Sequence, residues 1–206
     1  MRPKSIAAAC GMLGITALIT AHTYPTNQCN SSDPCEPDNN NHYWCDASSM
    51  GSNNYGVAMA SFESYLDNVD QTEIRYREDP VCDSLTDVWA YHTYDLSYLG
   101  DVRGLYQCWN IKAAGSGYEC ESSLVKLDDT WFNSNYSTTT ARRRAMQSTW
   151  CHEIGHSLGL DHWSGSSAQC MRSDATVSML DDSSSWYREY GSHDWNHIEV
   201  NLDNVL

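Results

Sequence analysis

The sequence predicts one domain of the α/β (α+β) class, in which a sheet of about four to five strands is combined with several helices. Two observations support this prediction. Four short segments rich in β-branched and aromatic residues follow one another between residues 72 and 132, which is typical of strands. Helical periodicity occurs before and after them. The 206 residues suffice for one ordinary domain with a single core.

The first predicted element is a helix between residues 53 and 69, with Asn53 or Asn54 as its N-cap. Its apolar side chains approximate one stripe at helical spacing. They are Val57, Ala60, Tyr65, Leu66 and Val69.

Four strands are predicted next, because apolar or aromatic residues alternate with polar ones between turn signals. They cover residues 72–78 (TEIRYRE), 87–96 (DVWAYHTYDL), 104–111 (GLYQCWNI) and 122–132 (SSLVKLDDTWF).

Two helices are predicted after the strands. The long one covers residues 141–158, with an N-cap threonine among residues 138–140. Gly159 follows it, at the position where a left-handed residue commonly ends a helix. The short one covers residues 192–202, is capped by Ser192 and closes the chain.

Residues 1–21 have the composition of a secretory signal peptide. Arg2 and Lys4 form a basic start, an apolar stretch follows, and Ala21 is a small residue suited to cleavage. A membrane anchor is disfavoured, because the stretch is short for a span and contains two glycines. We therefore expect a secreted, extracellular protein.

The remaining chain divides into two parts by composition. Residues 22–49 are rich in Asn, Ser, Asp, Pro and Cys and predict an irregular, Cys-rich N-terminal segment. Residues 50–206 predict the folded domain, without an internal repeat or a linker that divides it.

Eight cysteines follow the predicted signal peptide, and they favour up to four disulfide bonds. A zinc ribbon is disfavoured, because the sequence contains no C-x₂-C pair. Cys108 and Cys120 flank one predicted turn, so we expect them to be bonded. Three of the eight precede residue 50, so at least one of these should reach the main domain. The eight are Cys29, Cys35, Cys45, Cys82, Cys108, Cys120, Cys151 and Cys170.

The charge of the chain limits its partners. Twelve Lys and Arg residues stand against 27 Asp and Glu residues, for a formal net charge of −15. Such acidity disfavours nucleic acids and anionic membranes as partners. It leaves a Ca²⁺ ion at a carboxylate cluster possible in addition to the metal considered next.

Residues 152–162, HEIGHSLGLDH, form the motif with the clearest chemistry. Residues four apart share one face of a helix, so His152 and His156 are able to present nitrogens to one metal ion. Gly159 allows the chain to leave the helix, and His162 is then able to return as a third ligand. Three nitrogen ligands with an open fourth position are typical of a catalytic zinc site.

Glu153 follows the first histidine of this motif directly. In an H-E-x-x-H segment the carboxylate lies beside metal-bound water rather than on the metal. It is therefore the candidate general base and acid, which takes a proton from the attacking water and passes it to a leaving amine.

HEIGHSLGLDH resembles the H-E-x-x-H-x-x-G-x-x-H signature of metzincin zinc endopeptidases at every fixed position. The order of elements from about residue 50 is similar to that of the matrixin branch. The resemblance implies a twisted mixed sheet with a backing helix and a long active-site helix. It also implies one catalytic Zn²⁺ and hydrolysis of a protein or peptide substrate in extended conformation. We expect a monomer.

The same resemblance implies roles for residues outside the motif. Met171, nine residues after His162, would form the methionine turn beneath the metal. The strand that contains Leu105, Tyr106 and Gln107 would be the edge strand to which the substrate adds main-chain hydrogen bonds.

Two further features are implied in the same way. A disulfide between Cys151 and Cys170 would tie the helix to the methionine turn. Asp194 resembles the acidic residue that receives a new N-terminus in matrixins, although a first-turn helix carboxylate explains it equally well.

The sequence departs from the matrixin pattern in several places. Trp163 follows the third histidine, where matrixins usually have Ser or Thr. No H-G-D segment marks a second zinc site, and His92 has no assigned role. Two alternatives to a peptidase stay open: a secreted zinc-containing binding module without activity, and a zinc hydrolase of a non-peptide amide or ester.

Overall fold

The computed structural model describes residues 36–38, 41–47, 75–78, 81–99, 102–114, 117–162, 169–172, 175–180 and 188–203. The predicted signal peptide and the predicted helix between residues 53 and 69 lie outside these ranges.

The described strands form one mixed sheet of six strands. Their bounds are β1 Glu36–Pro37, β2 Asn41–Asp46, β3 Arg75–Glu78, β4 Val88–Tyr94, β5 Gly104–Ala114 and β6 Gly117–Asp128. The four predicted strands correspond to β3, β4, β5 and β6. The α/β class and the mixed sheet are therefore as predicted.

Strand β6 organises the sheet. Along one side it pairs antiparallel with β5, and along the other it pairs parallel with β4 and, near its start, with β1. β4 continues to β2 and then to β3, again in parallel. Among the described strands β5 pairs only with β6, so it lies at an edge of the sheet.

Strands β1 and β2 correct the prediction of an irregular N-terminal segment. Residues 41–46 were expected to be irregular because polar and turn residues dominate around them. They instead form β2, which is held between β3 and β4, with Trp44 and Cys45 buried. Tertiary pairing overrides local composition here, so this stretch belongs to the sheet.

Four α-helices and one 3₁₀ helix, Ser97–Leu99, complete the described fold. The α-helices are α1 Asp129–Asn135, α2 Thr139–Ser157, α3 Val177–Leu180 and α4 Ser192–Asp203. α1 corrects the fourth predicted strand, which was extended to residue 132. The strand ends at Asp128, because its carboxylate accepts the backbone N–H of Trp131 and caps a helix.

The ends of the long helix α2 are as predicted. The Thr138 side chain accepts the backbone N–H of Ala141 at 3.2 Å, and Gly159 has a positive φ of 81°. The cap of α4 differs from the prediction. Ser192 is already helical, and Asp194 reaches back to accept the N–H of Gly191 at 3.0 Å.

Helix α2 packs against one face of the sheet and supplies much of the core. Trp150, Met146 and Ile154 are fully buried there, together with Leu127 of β6 and Phe132 of α1. This burial fixes the position of α2, and with it the face that carries the histidines.

Three disulfide bonds join the described elements: Cys45–Cys82, Cys108–Cys120 and Cys151–Cys170. The second and third are pairs that we predicted. The first confirms that a cysteine before residue 50 reaches the main domain. Cys29 and Cys35 lie outside the described residues. No helix in the described part of the chain is long and apolar enough to span a membrane.

Candidate metal centre and active site

The three histidines of the motif converge through one type of atom. The Nε2 atom of His156 lies 3.2 Å from Nε2 of His152 and 3.2 Å from Nε2 of His162. Nitrogen ligands about 2.0–2.1 Å from a tetrahedral zinc ion would be about 3.3 Å apart. The observed spacing therefore matches that of three ligands on one ion.

Backbone carbonyl groups orient two of these rings. Nδ1 of His152 lies 2.8 Å from the carbonyl oxygen of Cys170, and Nδ1 of His156 lies 2.8 Å from that of Leu160. A carbonyl oxygen only accepts, so each Nδ1 carries the proton and donates it. Each Nε2 then carries a lone pair that is able to bind a metal ion. Metal-ligating histidines usually have this tautomer, with the other ring nitrogen donating to a carbonyl or carboxylate.

Burial keeps the same rings neutral. It lowers the pKa of His152 well below the ordinary value and lowers that of His156 to about 4, and the neighbouring histidines add to both shifts. Two neutral imidazoles with lone pairs 3.2 Å apart repel each other unless a cation lies between them. The donor set of three imidazoles thus fits Zn²⁺.

Glu153 follows His152 directly in α2 and lies beside the three histidines. Its side chain is buried, with 6% of its surface exposed. The backbone N–H of Tyr106 donates a hydrogen bond to the carboxylate. Burial raises the pKa of Glu153 to about 8, against the smaller opposing effects of Arg103 and of that hydrogen bond. A metal cation on the histidines would also lower this pKa.

Gly104 explains how the edge strand comes so close to Glu153. A Cβ atom at position 104 would lie 2.5 Å from Oε1 of Glu153 and 2.6 Å from Cγ2 of Thr149. Only a residue without a side chain allows β5 to approach α2 at this point.

Met171 lies beneath the turn of α2 that separates His152 from His156. It is fully buried, and a Cβ atom on Gly155 would lie well under 3.0 Å from its sulfur. Met179, the other methionine considered in the sequence, lies instead in α3, where its sulfur accepts the N–H of Thr176 at 3.4 Å. Cys170, the neighbour of Met171, links this turn to α2 in two ways. It is bonded to Cys151, and its carbonyl group orients His152.

The three residues predicted for the edge strand divide between two faces. Tyr106 pairs with Val125 of the core face, and its ring lies 6.0 Å from that of His156. Leu105 and Gln107 lie on the opposite face. Because the N–H of Tyr106 is directed to Glu153, it points away from β6 and toward the side of β5 that pairs with no described strand.

Other residues named from the sequence are placed as follows. Asp194 is buried and engaged in the cap of α4, and burial raises its pKa to about 6. Trp163 and the side chain of His92 lie outside what the structure describes. The histidine triad is the only group in the described ranges where three or more His, Cys, Asp or Glu side chains could share one metal ion. The predicted Ca²⁺ site is therefore not located.

Two residues near the site were not predicted. Arg103 donates from its guanidinium group to the carbonyl of Ala175 at 3.1 Å and acts electrostatically on Glu153. His42 of β2 is buried and lies 2.7 Å from the Ser157 hydroxyl at the end of α2. Neither position belongs to a sequence motif, so only the tertiary contacts identify them.

Comparison with known proteins supports the fold alone. No protein-family model matches the chain, and no curated protein matches it. The structure is similar to that of an archaemetzincin from Methanopyrus kandleri, with a TM-score of 0.50 and 11% sequence identity. The match covers 81% of this chain and 97% of that chain. At this identity it shows a shared mixed α/β fold.

Proposed function

We propose that this protein is a zinc-dependent metalloendopeptidase of metzincin type. One observation carries the proposal: three Nε2 atoms converge at zinc-ligand spacing with a carboxylate beside them. Glu153 would have no task in a structural site. The similarity to a protein named an archaemetzincin supports the same class.

A zinc ion bound by His152, His156 and His162 would supply Lewis acidity toward water and toward the carbonyl group of a substrate. Glu153 then performs the proton transfer. Its carboxylate accepts a proton from the attacking water and gives it to the amine nitrogen of the breaking peptide bond. The N–H of Tyr106 holds that carboxylate in place during both steps.

The substrate is a protein or peptide segment in extended conformation. The side of β5 that pairs with no described strand passes directly beside Glu153 and the ring of His156, so a strand added there would cross the site. Strand addition needs an unstructured or flexible segment.

The proposal also includes the cellular location of the protein and the branch of the metzincins that it resembles. We propose a secreted monomer, on the basis of the N-terminal composition and the three disulfides, which favour an oxidising compartment. The matrixin-like assignment rests on the sequence alone, on the spacing from His162 to Met171. The similar solved structure is named an archaemetzincin instead.

The decisive experiment is cleavage of an unstructured protein by the purified chain, with Glu153→Gln as its matched variant. Both proteins are brought to one bound zinc per chain, checked by elemental analysis. Asp95→Asn serves as a control, because it removes an exposed carboxylate outside the site. We expect cleavage by the parent and the control, and a loss of at least 10²-fold with Glu153→Gln.

Two results would point to the alternatives. Zinc binding without cleavage of any unstructured protein would favour a binding module. Hydrolysis of small esters or amides, dependent on Glu153 but without cleavage of polypeptides, would favour a non-peptide hydrolase.

A further inference from the structure

A recess separate from the metal centre lies on the face of the sheet opposite α2. It has a volume of about 500 Å³, and Trp89 contributes to its lining. Trp89 lies between Val88 and Ala90, which belong to the core, so its side chain projects from the opposite face. The recess is thus across the sheet from α2. Its volume is suited to one large side chain or a small organic molecule.

Two indole rings form the apolar part of this recess. Trp89 of β4 and Trp109 of β5 reach toward each other across β6, with ring centroids 5.2 Å apart and planes tilted by 56°. Trp109 has 51% of its surface exposed. Such exposure of a large aromatic ring is a common property of binding sites.

Irregular pairing of β5 with β6 directs Trp109 to this position. The register between the two strands shifts between Cys108 and Asn110, so Trp109 falls in a bulge. Bulges redirect side chains and are frequent next to functional sites.

Disulfide bonds hold the walls of the recess in place. Three wall segments each follow a bonded cysteine directly: residues 83–84 follow Cys82, 109–110 follow Cys108, and 121–122 follow Cys120. The recess is therefore preorganised, which reduces the entropy lost when a ligand binds.

The polar lining of the recess has one sign of charge. Asp83 and Glu121 contribute carboxylates, and Asn110 donates to Glu121 at 2.5 Å. No Lys, Arg or His is among the described residues that line it. Carboxylates beside the negative faces of indole rings attract a cation. A neutral sugar would also stack on the rings and donate hydroxyl hydrogen bonds to the carboxylates, but it carries no charge to offset theirs.

We propose that this recess binds an organic cation, an ammonium or guanidinium group on an aliphatic stem. The group would lie against the Trp109 ring while the carboxylates of Asp83 and Glu121 offset its charge. Its source is either a Lys or Arg side chain of a polypeptide or a free amine. This proposal does not depend on peptidase activity.

Nuclear magnetic resonance of the ¹⁵N-labelled protein tests the proposal through the indole N–H signals, with that of Trp109 assigned from Trp109→Ala. The probes are N-acetyl-arginine amide and N-acetyl-lysine amide for the polypeptide source, and spermidine and choline for free amines. N-acetyl-norleucine amide and glucose are neutral controls. We expect the cations, and not the neutral probes, to shift the Trp109 signal, with affinity that falls as salt rises.

Variants then identify the groups that bind. Glu121→Gln should weaken cation binding about two- to fivefold. Trp109→Ala should weaken cation binding about three- to tenfold. Because this variant lacks the Trp109 indole signal, its affinity is measured by calorimetry. Tyr98→Ala and Asp95→Asn are matched controls, since they remove an exposed ring and an exposed carboxylate elsewhere. They should leave the affinity unchanged.

The outcomes distinguish a polypeptide side chain from a free amine as the source of the cation, and a cation from a sugar as the ligand. Preference for the amino-acid amides assigns the recess to polypeptide side chains, and preference for spermidine or choline assigns it to free amines. Binding of glucose in place of the cations would overturn the proposal, and so would the absence of any shift with the folded protein. Equal weakening by Asp95→Asn and Glu121→Gln would show only nonspecific charge attraction and would also overturn it.

Discussion

The sulfur of Met171 lies against Gly155, with no room for a Cβ atom between them. Gly155 belongs to the helical turn between His152 and His156, so the methionine supports the backbone that carries both rings. Cys170, the neighbour of Met171, holds the ring of His152 through its carbonyl. The turn beneath the helix therefore positions the proposed metal ligands by packing and by a hydrogen bond.

Gly155→Ala tests the packing relationship. The added methyl group would displace Met171 or the helix, and overpacking of a core typically costs about 1–3 kcal/mol. We expect the melting temperature to fall by roughly 3–10 °C. Calorimetry measures it. Met171→Ala makes room for the added methyl group, so the double variant should lose less stability than the two single variants together. If the two changes were additive in a double-mutant cycle, the contact would be excluded.

Removal of the Cys151–Cys170 disulfide tests the hydrogen-bond relationship. The double change to serine should cost about 3 kcal/mol of stability, because the bond closes a loop of roughly 20 residues. It should also weaken zinc binding about 10- to 100-fold, because the Cys170 carbonyl no longer holds His152 firmly. Competition with a chelator measures the affinity.

The Cys108–Cys120 disulfide provides the matched control for that experiment. It joins β5 to β6 away from the histidines, so its removal should lower stability and leave zinc affinity unchanged. Equal losses of zinc affinity in both double variants would contradict a specific role for the Cys170 carbonyl.

Gly104→Ala tests how the edge strand positions Glu153. The new methyl group would overlap Oε1 of Glu153 and Cγ2 of Thr149. The carboxylate must then move, and a displacement of about 1 Å at a reacting group costs on the order of 10²-fold in rate. We expect that loss in kcat/KM for peptide cleavage, with zinc content unchanged. Thr149→Ser, which removes Cγ2, should recover part of the activity, and loss of zinc from Gly104→Ala would refute the explanation.

Asp87 makes the stability of the fold depend on pH. Its buried carboxylate accepts the N–H of Tyr43 at 2.6 Å, and burial raises its pKa from 3.8 to about 7. The folded state therefore holds this proton more tightly than the unfolded state. The stability from the protonated group is fully present below about pH 4 and is lost as the pH rises to about 7.

Asp87→Asn should accordingly raise the melting temperature at pH 8 and change it little at pH 4, because the amide oxygen also accepts from Tyr43. Asp95→Asn is a control for which we expect the opposite change in melting temperature. Hydrogen bonds from Ser97 lower the pKa of Asp95, so removal of this carboxylate should reduce stability at pH 8. An equal effect of Asp87→Asn at both pH values would disprove the linkage.

Local patterns predicted the elements that depend on local interactions. The long helix from Thr139 to Ser157 follows from its N-cap threonine, its helix formers and the glycine after it, which are short-range features. Four strands followed from alternation, although the last was extended too far because a cap at Asp128 was not recognised. β2 escaped prediction, because its stability comes from two neighbouring strands and not from its own residues.

For the site, the sequence by itself determined the proposed ligand set, because helical periodicity alone brings residues 152 and 156 to one face and the following glycine permits the return of residue 162. Only the tertiary structure decided what holds those ligands. The carbonyl of Cys170, the sulfur of Met171 and the backbone of Gly104 and Tyr106 act across distances of 16 to 49 residues in the chain. Such contacts arise from packing, which no local pattern encodes.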